Sequence, residues 1–168
     1  FKNLNFLSAK PILYVCNVSE DEALKGNAYT ESVKVFSDKN QHPMVLISAA
    51  IEAEIASLSS EDDKKSFLDS LGLQETGLDR VIREGYTLLN LLTFFTVGPK
   101  EARAWTIYKG AYAPQGAGVI HTDFERGFIC AETISYDDYV QWGGEKACKE
   151  QGKLRLEGRD YLIKDGDI

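Results

Sequence analysis

Lys10-Pro-Ile-Leu-Tyr-Val-Cys-Asn-Val-Ser-Glu20 is the stretch of this sequence that decides the fold. Its apolar run, residues 11–16, leads directly into Asn17-Val18-Ser19-Glu20, and a second apolar run, residues 44–47, leads into Ser48-Ala49-Ala50. Short apolar runs bounded by polar or turn residues are typical of buried strands. A helix-permissive segment, residues 28–39, lies between them and ends before His42-Pro43. The sequence therefore predicts strand, helix, strand, with polar groups following each strand.

The polar groups after the two strands have the chemistry of a base-binding site. An asparagine side chain offers one acceptor and two donors on a single plane, so Asn17 can pair with the Hoogsteen edge of a purine. A strand delivering Asn-x-x-acid and a strand delivering Ser-Ala together hold the base in P-loop G domains. We therefore predict purine recognition by Asn17, by the backbone of Val18, by Glu20, and by Ser48, Ala49 and Ala50. The alternative is a plain loop after a strand.

The sequence contains no Gly-x4-Gly-Lys-Ser/Thr, the motif that cradles nucleotide phosphates. It therefore resembles the C-terminal part of a larger ATPase or GTPase, and the segment alone is expected not to hydrolyse nucleotide. GTPases carry Asn-Lys-x-Asp, whereas Val18 and Glu20 stand here in place of the lysine and the aspartate. Losing that guanine clamp removes the penalty against adenine, because an unpaired buried polar group costs about 1–3 kcal/mol. ATP becomes at least as plausible as GTP.

The second half of the sequence has a different pattern. For residues 90–168, this pattern predicts a small mixed sheet that clasps one helix, as in a β-grasp fold. Residues 1–89 are predicted to form an α/β segment. Strands are predicted at 92–97 and 101–109, as a hairpin around Gly98-Pro99, followed by a helix from Pro114 to Ile120. A strand at 128–136 and a weak helix at 137–151, broken at Gly143-Gly144, come next. Two further strands, at 153–156 and 161–164, form a predicted hairpin around Glu157-Gly158. In the first half, capped helices are predicted after Ser60 and Thr76.

Composition limits the function further. The net charge of −7 disfavours bulk attraction to nucleic acid, and DNA is not an expected partner. No apolar run approaches the roughly 20 residues that a membrane-spanning helix needs. The three cysteines form no C-x-x-C and indicate reduced thiols in the cytoplasm, and no spacing suggests a metal site.

A local basic surface remains possible in the second half. Four cations interleaved with Trp105 and Tyr108 could form a basic–aromatic face for RNA or ribosomal protein: Lys100, Arg103, Lys109 and Arg126. Strand alternation places Arg103 and Trp105 on one face and Tyr108 on the other. The same pattern also fits a surface that is half core and half solvent-facing.

The whole chain resembles the C-terminal part of the YchF, or Obg-like ATPase, family of TRAFAC-class P-loop proteins. The resemblance is carried by residues 10–20, Gly77-Leu-Asp-Arg80, residues 94–107, Gly118-Val-Ile-His-Thr-Asp-Phe-Glu-Arg-Gly-Phe128, Gly158-Arg-Asp-Tyr161 and Asp165-Gly-Asp-Ile168. It implies a partial G domain over residues 1–89 and a TGS domain of ubiquitin-like β-grasp fold over residues 90–168. It also implies that the family continues past Ile168 into a final strand, which this sequence lacks.

The resemblance implies a ribosome-associated protein that hydrolyses ATP in preference to GTP. Mg²⁺ would accompany ATP, with its ligands upstream of Phe1. Tyr108, Ala111, Tyr112 and Gly116 depart from the family pattern at 108–116, which removes one or two basic residues from a candidate RNA-contacting loop. Two alternatives stay open: a non-catalytic RNA- or ribosome-binding β-grasp module, and a GTP-specific Obg-type GTPase.

Overall fold

The computed structural model of the chain describes residues 6–168, which divide into two compact units at Leu89 and Asn90. The first unit combines a pair of parallel strands with helices on the connecting segments. Its elements are short 3-10 turns at Leu7–Ala9 and Glu20–Glu22, β1 (Tyr14–Asn17), α1 (Ala28–Lys39), β2 (Met44–Ile47), α2 (Ala49–Ser57), α3 (Glu61–Ser70) and α4 (Gly77–Leu88). The strand–helix–strand order predicted from the two apolar runs is confirmed.

Strands β1 and β2 pair in parallel, from Tyr14 opposite Met44 to Asn17 opposite Ile47. Parallel pairing requires a crossover connection, and α1 supplies it. The first apolar run forms a strand only from Tyr14 onward, later than the predicted start at residue 11. Because the two strands run in parallel, their carboxyl ends lie side by side at one edge of the sheet.

Side-chain caps explain where α1, α3 and α4 begin. The Asn27 side chain accepts hydrogen bonds from two backbone N–H groups in the first turn of α1. Ser60 and Thr76 accept the backbone N–H groups three residues further on, at the starts of α3 and α4, as the capping pattern predicts. Buried apolar side chains from α2, α3 and neighbouring loops form the core: Ala23, Ile51, Ile55, Leu68 and Leu73.

Glu52 joins α2 to the beginning of α4. Its carboxylate accepts the backbone N–H of Gly77 at 2.7 Å and that of Leu78 at 3.3 Å. An acidic group at a helix N-terminus is favoured both by these orphan donors and by the helix dipole. A Cβ at residue 77 would lie 2.9 Å from Glu52 Oε1 and 2.9 Å from Ile47 Cγ2. The glycine therefore lets α4 approach both α2 and the end of β2.

We expect Gly77→Ala to destabilise the first unit by about 1–3 kcal/mol, because the added methyl overpacks this junction. Hydrogen exchange of the α4 amides measures the loss. Gly85→Ala is the matched control, because it lies in the same helix and a Cβ there meets nothing within 4 Å. That control should raise stability by about 0.5–1 kcal/mol. Equal effects of the two substitutions would contradict the overpacking argument.

The second unit contains a long hairpin, a helix against it and a smaller strand pair. Its elements are β3 (Leu91–Val97), β4 (Ala102–Tyr108), α5 (Ala113–Ile120), α6 (Thr122–Arg126), β5 (Ala131–Thr133), α7 (Tyr136–Trp142), α8 (Glu145–Glu150) and β6 (Arg155–Glu157). The strands of β3–β4 and of β5–β6 are antiparallel. The core consists of Leu92, Phe94, Ile107 and Ala111, with Trp105, Ile120 and Ile163 packed against it.

The last residues connect the hairpin with the region after β5. The N–H of Gly166 donates to the Thr93 carbonyl at 2.8 Å, and the N–H of Phe95 donates to the Asp167 carbonyl at 2.7 Å. Ile168 and Ile134 exchange two backbone hydrogen bonds of 2.8 and 2.9 Å. Residues 166–168 therefore lie between β3 and Ile134, and their backbone hydrogen bonds link the β3–β4 hairpin to the residue that follows β5.

One predicted strand in this unit is too long, and one predicted hairpin is wrong. The predicted strand at 128–136 is reduced to residues 131–133, because the Ser135 side chain accepts the N–H of Asp138 and starts α7. The predicted hairpin around Glu157-Gly158 does not form, because β6 pairs with β5 instead. Residue Leu162 instead makes an antiparallel bridge to Tyr112. The break at Gly143-Gly144, which separates α7 from α8, is confirmed.

A buried carboxylate fixes the final turn of the second unit. Asp167 is 6% exposed and accepts the Tyr161 hydroxyl at 2.8 Å and the Lys164 backbone N–H at 2.8 Å. The Arg155 guanidinium lies 3.3 Å from the other carboxylate oxygen and also contacts Glu157 at 2.9 Å. Burial and the hydrogen bond to Asp167 raise the pKa of the Tyr161 hydroxyl, so the neutral phenol remains the donor. The turn depends on this set of polar contacts.

No helix within residues 6–168 is both long enough and apolar enough to cross a membrane.

Candidate nucleotide-base site

The residues predicted to hold a purine meet where β1 and β2 end. Asn17 closes β1, and Ser48 follows β2 directly. The two strands are hydrogen-bonded neighbours in parallel register, so their ends share one edge of the sheet. Ligands of open α/β sheets bind at the carboxyl ends of strands. The structure brings the Asn-x-x-Glu segment and the Ser-Ala-Ala segment to that location.

A side-chain hydrogen bond links the two segments. Asn17 Oδ1 accepts the backbone N–H of Ala49 at 2.9 Å across 32 residues of sequence. The acceptor of the amide is therefore engaged, which fixes the plane of the side chain and leaves its NH₂ group as the outward-facing donor. Asn17, Ala49 and Ala50 are exposed. This geometry suits donation to the acceptor nitrogen on a purine Hoogsteen edge.

Ser48 starts α2 without capping it. The residue is 3% exposed, its Oγ has no hydrogen-bond partner among the described residues, and it makes no side-chain cap. An unpartnered buried hydroxyl is costly in a folded protein. Ser48 Oγ is therefore a group whose hydrogen-bonding capacity is unused at this sheet edge.

Val18 and Glu20 present acceptors rather than donors. The Val18 N–H donates to the Ile47 carbonyl at 2.9 Å, so a backbone contribution from Val18 to a base is limited to its carbonyl. Glu20 begins the 3-10 turn that follows, and its side chain is exposed. The Val18 carbonyl and the Glu20 carboxylate are therefore acceptors at this edge, beside the Asn17 NH₂ donor and the Ser48 hydroxyl.

Glu22 is a positioning residue that the sequence patterns did not reveal. Its carboxylate oxygen Oε2 accepts the Ser19 hydroxyl at 2.9 Å and the Asn27 side-chain NH₂ at 2.9 Å. Asn27 in turn caps α1 through its side-chain oxygen. The loop that carries Glu20 is thereby fixed to the start of α1. The only sequence signal for this arrangement is the capping asparagine before an apolar helix.

The cations predicted to contact RNA lie on different segments of the second unit. Lys100 precedes β4 and Lys109 follows it, so the length of the strand separates them, about 3.3 Å for each residue. Arg126 ends α6. Arg103 lies in β4 with its guanidinium 4.1 Å from the centre of the Trp105 ring.

Within residues 6–168 no group of three or more His, Cys, Asp or Glu side chains could hold a metal ion.

These two units of strands and helices, with polar strand ends gathered at one sheet edge, define a mixed α/β protein. Residues 91–168 match the family model YchF-GTPase_C, described as "Protein of unknown function (DUF933)". The chain belongs to the YchF family. Nearly all of its length corresponds to the C-terminal part of the family's members.

Similar proteins carry informative names. The chain is 54% identical over 167 residues to the "Ribosome-binding ATPase YchF" of Pasteurella multocida, which covers 99% of the chain and 46% of that protein. It is 49% identical over 169 residues to the protein of the same name from Bacillus subtilis, covering 99% and 46%. It is 43% identical over 166 residues to "Obg-like ATPase 1" of Gallus gallus, covering 97% and 41%. The chain thus spans less than half the length of these relatives.

A solved structure shows the same fold. The Schizosaccharomyces pombe YchF GTPase superposes with a TM-score of 0.82 at 37% identity, over 99% of this chain and 44% of that chain. A similarity at this level of identity and coverage supports the family assignment as well as the fold.

Proposed function

We propose that this chain is the base-recognition and TGS portion of an ATP-hydrolysing, ribosome-associated P-loop switch protein. The first unit would be the C-terminal part of the G domain, and the second unit a TGS domain. The observation that carries the proposal is the Asn17–Ala49 hydrogen bond, which unites the two base-binding segments at the strand ends. The names of the relatives, ribosome-binding ATPases, support the activity and the partner. Ribosome association also implies a cytoplasmic protein.

The hydrogen-bonding groups at this edge favour adenine over guanine. Adenine presents an amino donor at the position where guanine presents a carbonyl acceptor. The Val18 and Ala49 N–H groups, which could satisfy a guanine carbonyl, are already engaged. The Val18 carbonyl remains as an acceptor for the adenine amino group, while the Asn17 NH₂ group donates to the ring nitrogen that both purines share. An unpaired guanine carbonyl would cost about 1–3 kcal/mol.

The pattern of the second unit supports the TGS assignment. A hairpin (β3–β4) packs against α5, a short strand pair follows, and residues 166–168 lie between β3 and Ile134. In a β-grasp domain a mixed sheet clasps one helix, and α5 would be that helix here. Such a compact unit at the end of a nucleotide switch would supply the contact with the ribosome.

Mg²⁺ would accompany ATP in the whole protein, where metal-assisted attack of water on the γ-phosphate is the general route of P-loop hydrolysis. The described residues do not fit a magnesium site, because they contain no suitable cluster of carboxylates. We therefore assign no catalytic residue to this chain. Its own contribution is to bind and orient the base, and the isolated chain should release no phosphate from ATP above background.

Nucleoside titration tests the base site directly. We expect adenosine to shift the backbone amide resonances of Ala49 and Ala50 in the isotopically labelled chain, with a dissociation constant of about 1 mM or weaker, since the phosphate contacts are lacking. Guanosine should produce smaller shifts. Asn17→Ala should abolish the response, because it removes the donor and releases the Ala49 N–H.

Asn40→Ala provides the matched control, since Asn40 lies at the far end of α1 and its side-chain NH₂ donates to the Phe36 carbonyl. It should leave the adenosine shifts unchanged. Equal shifts from both nucleosides would contradict adenine preference. Shifts elsewhere in the chain, with none near residues 17 and 48–50, would contradict the site itself.

A non-catalytic ribosome-binding module is the second candidate, favoured by the basic and aromatic side chains of β4. In that case the second unit alone would account for binding. Under both proposals residues 90–168 should co-sediment with ribosomes as well as residues 1–168 do, so the response to adenosine distinguishes them. Under the second candidate, neither residues 90–168 nor residues 1–168 should respond to adenosine. A nucleoside response at Ala49 would favour the switch protein.

A further inference from the structure

Arg103 differs from the other cations of the second unit in how its side chain is held. Its guanidinium carbon lies 4.1 Å from the centre of the Trp105 ring, on the same strand two residues away. The indole N–H of Trp105 donates to Thr96 Oγ1 at 2.9 Å. Thr96 is the cross-strand partner of Arg103 in the β3–β4 register. The ring that supports the guanidinium is therefore fixed by the facing strand.

This support orders the cation without neutralising it. A cation–π contact keeps the guanidinium over a fixed aromatic surface without using its N–H donors, which stay free for a ligand. Arg103 is exposed, and no ion pair joins it to a carboxylate within residues 6–168. Its outer face and its N–H fork are both available to a ligand. Lys100, Lys109 and Arg126 have no comparable ring contact in the described part of the chain.

A fixed, unpaired guanidinium of this kind suits an unpaired nucleotide. A nucleobase can stack on the outer face of the guanidinium, extending the Trp105–Arg103 stack, while the fork binds a phosphate in bidentate fashion. A carboxylate from a partner protein would use the fork but leave the outer face uncovered. The loop and strand from residue 99 to residue 109 carry Lys100, Arg103 and Lys109 against Glu101 alone, which adds local positive charge. The combination favours RNA over an acidic protein surface.

We propose that Arg103, held on Trp105 by the Thr96 contact, is the element of the second unit that recognises an unpaired nucleotide of RNA. The inference rests on the ribosome association proposed above and gives it a particular residue and ligand chemistry. Lys100, at the start of the same strand, adds charge for the neighbouring phosphates. Lys109, just beyond β4, and Arg126, at the end of α6, make no ring contact among the described residues and supply charge alone.

Binding of a fluorescein-labelled, unstructured single-stranded RNA of about twelve nucleotides, measured by anisotropy at several salt concentrations, tests the proposal. Arg103→Lys keeps the charge but loses the planar stack and the fork, so we expect affinity to fall about tenfold with little change in salt slope. Thr96→Val should lower affinity about threefold by releasing the indole. Arg126→Lys is the matched control and should bind as the unsubstituted chain does.

The outcomes separate this inference from the proposed function. Equal affinity of Arg103→Lys and the unsubstituted chain would overturn the role of Arg103. Ribosome co-sedimentation without any binding of the RNA probe would overturn nucleotide recognition while leaving ribosome association intact. Loss of both would overturn the proposed partner as well. Thermal unfolding followed by tryptophan fluorescence shows that each variant remains folded before its affinity is compared.

Discussion

Replacing Asp167 with alanine is expected to destabilise the second unit by about 3 kcal/mol, because hydrogen bonds to a charged group contribute about 1.5–3 kcal/mol each and are not additive. The substitution removes the acceptor for the Tyr161 hydroxyl and for the Lys164 N–H. It also leaves Arg155 with Glu157 as its remaining carboxylate partner among the described residues. The turn that places residues 166–168 between β3 and Ile134 would then lose its main polar support.

The positions of the two tryptophans allow unfolding of the second unit to be measured separately. Trp105 and Trp142, the two tryptophans of the sequence, both lie in the second unit, so denaturant unfolding followed by their fluorescence reports that unit alone. Asp160→Ala, at an exposed position close by, should change stability by less than about 0.5 kcal/mol. A similar midpoint for Asp167→Ala and Asp160→Ala would show that the buried carboxylate does not stabilise the turn.

Exchanging Val18 for lysine and Glu20 for aspartate should shift nucleotide preference from ATP toward GTP by about 10–100-fold, which corresponds to 1–3 kcal/mol for a restored polar pairing. The shorter carboxylate would accept the ring N–H and the amino group of guanine. The lysine stem would pack over the base. The measurement is the ratio of kcat/KM for ATP and GTP in the full-length protein to which we propose this chain belongs.

Glu22→Gln is a suitable companion variant for that experiment. It alters the contacts that fix the loop to Ser19 and Asn27 but leaves Glu20 unchanged, so activity with both nucleotides should fall without a change in their ratio. If the double substitution left the ATP to GTP ratio unaltered, the identity of residues 18 and 20 would not set base preference. The GTPase alternative would then gain support.

Local patterns predicted much of this fold. The helices after Ser60 and Thr76 follow from capping residues that act within a single turn. The β3–β4 hairpin follows from two apolar runs around Gly98-Pro99. The two strands that end at Asn17 and before Ser48 follow from the apolar runs at residues 11–16 and 44–47. Each of these inferences depends on the pattern of apolar residues along one segment, or on contacts within a single turn.

Contacts between distant segments could not be predicted in the same way. Segment 161–164 has the composition of a strand, yet its partner is chosen by the packing of β6 against β5. Ser135 ends a β-branched run because its hydroxyl caps a helix, and nothing in the run itself signals this competition. Glu22 likewise has a role only once the 3-10 turn and α1 are placed together. Tertiary context selected among locally acceptable alternatives.

The bond from the Thr93 N–H to the Asp165 carboxylate, 2.8 Å long, joins residues 72 positions apart. Closing such a long loop is entropically costly and slows folding relative to local pairing. During synthesis, the β3–β4 hairpin can form while the chain is still growing. The hydrogen bonds between the hairpin and residues 165–168 can form only after those residues have emerged. The second unit is therefore expected to mature late, after the first has already been assembled.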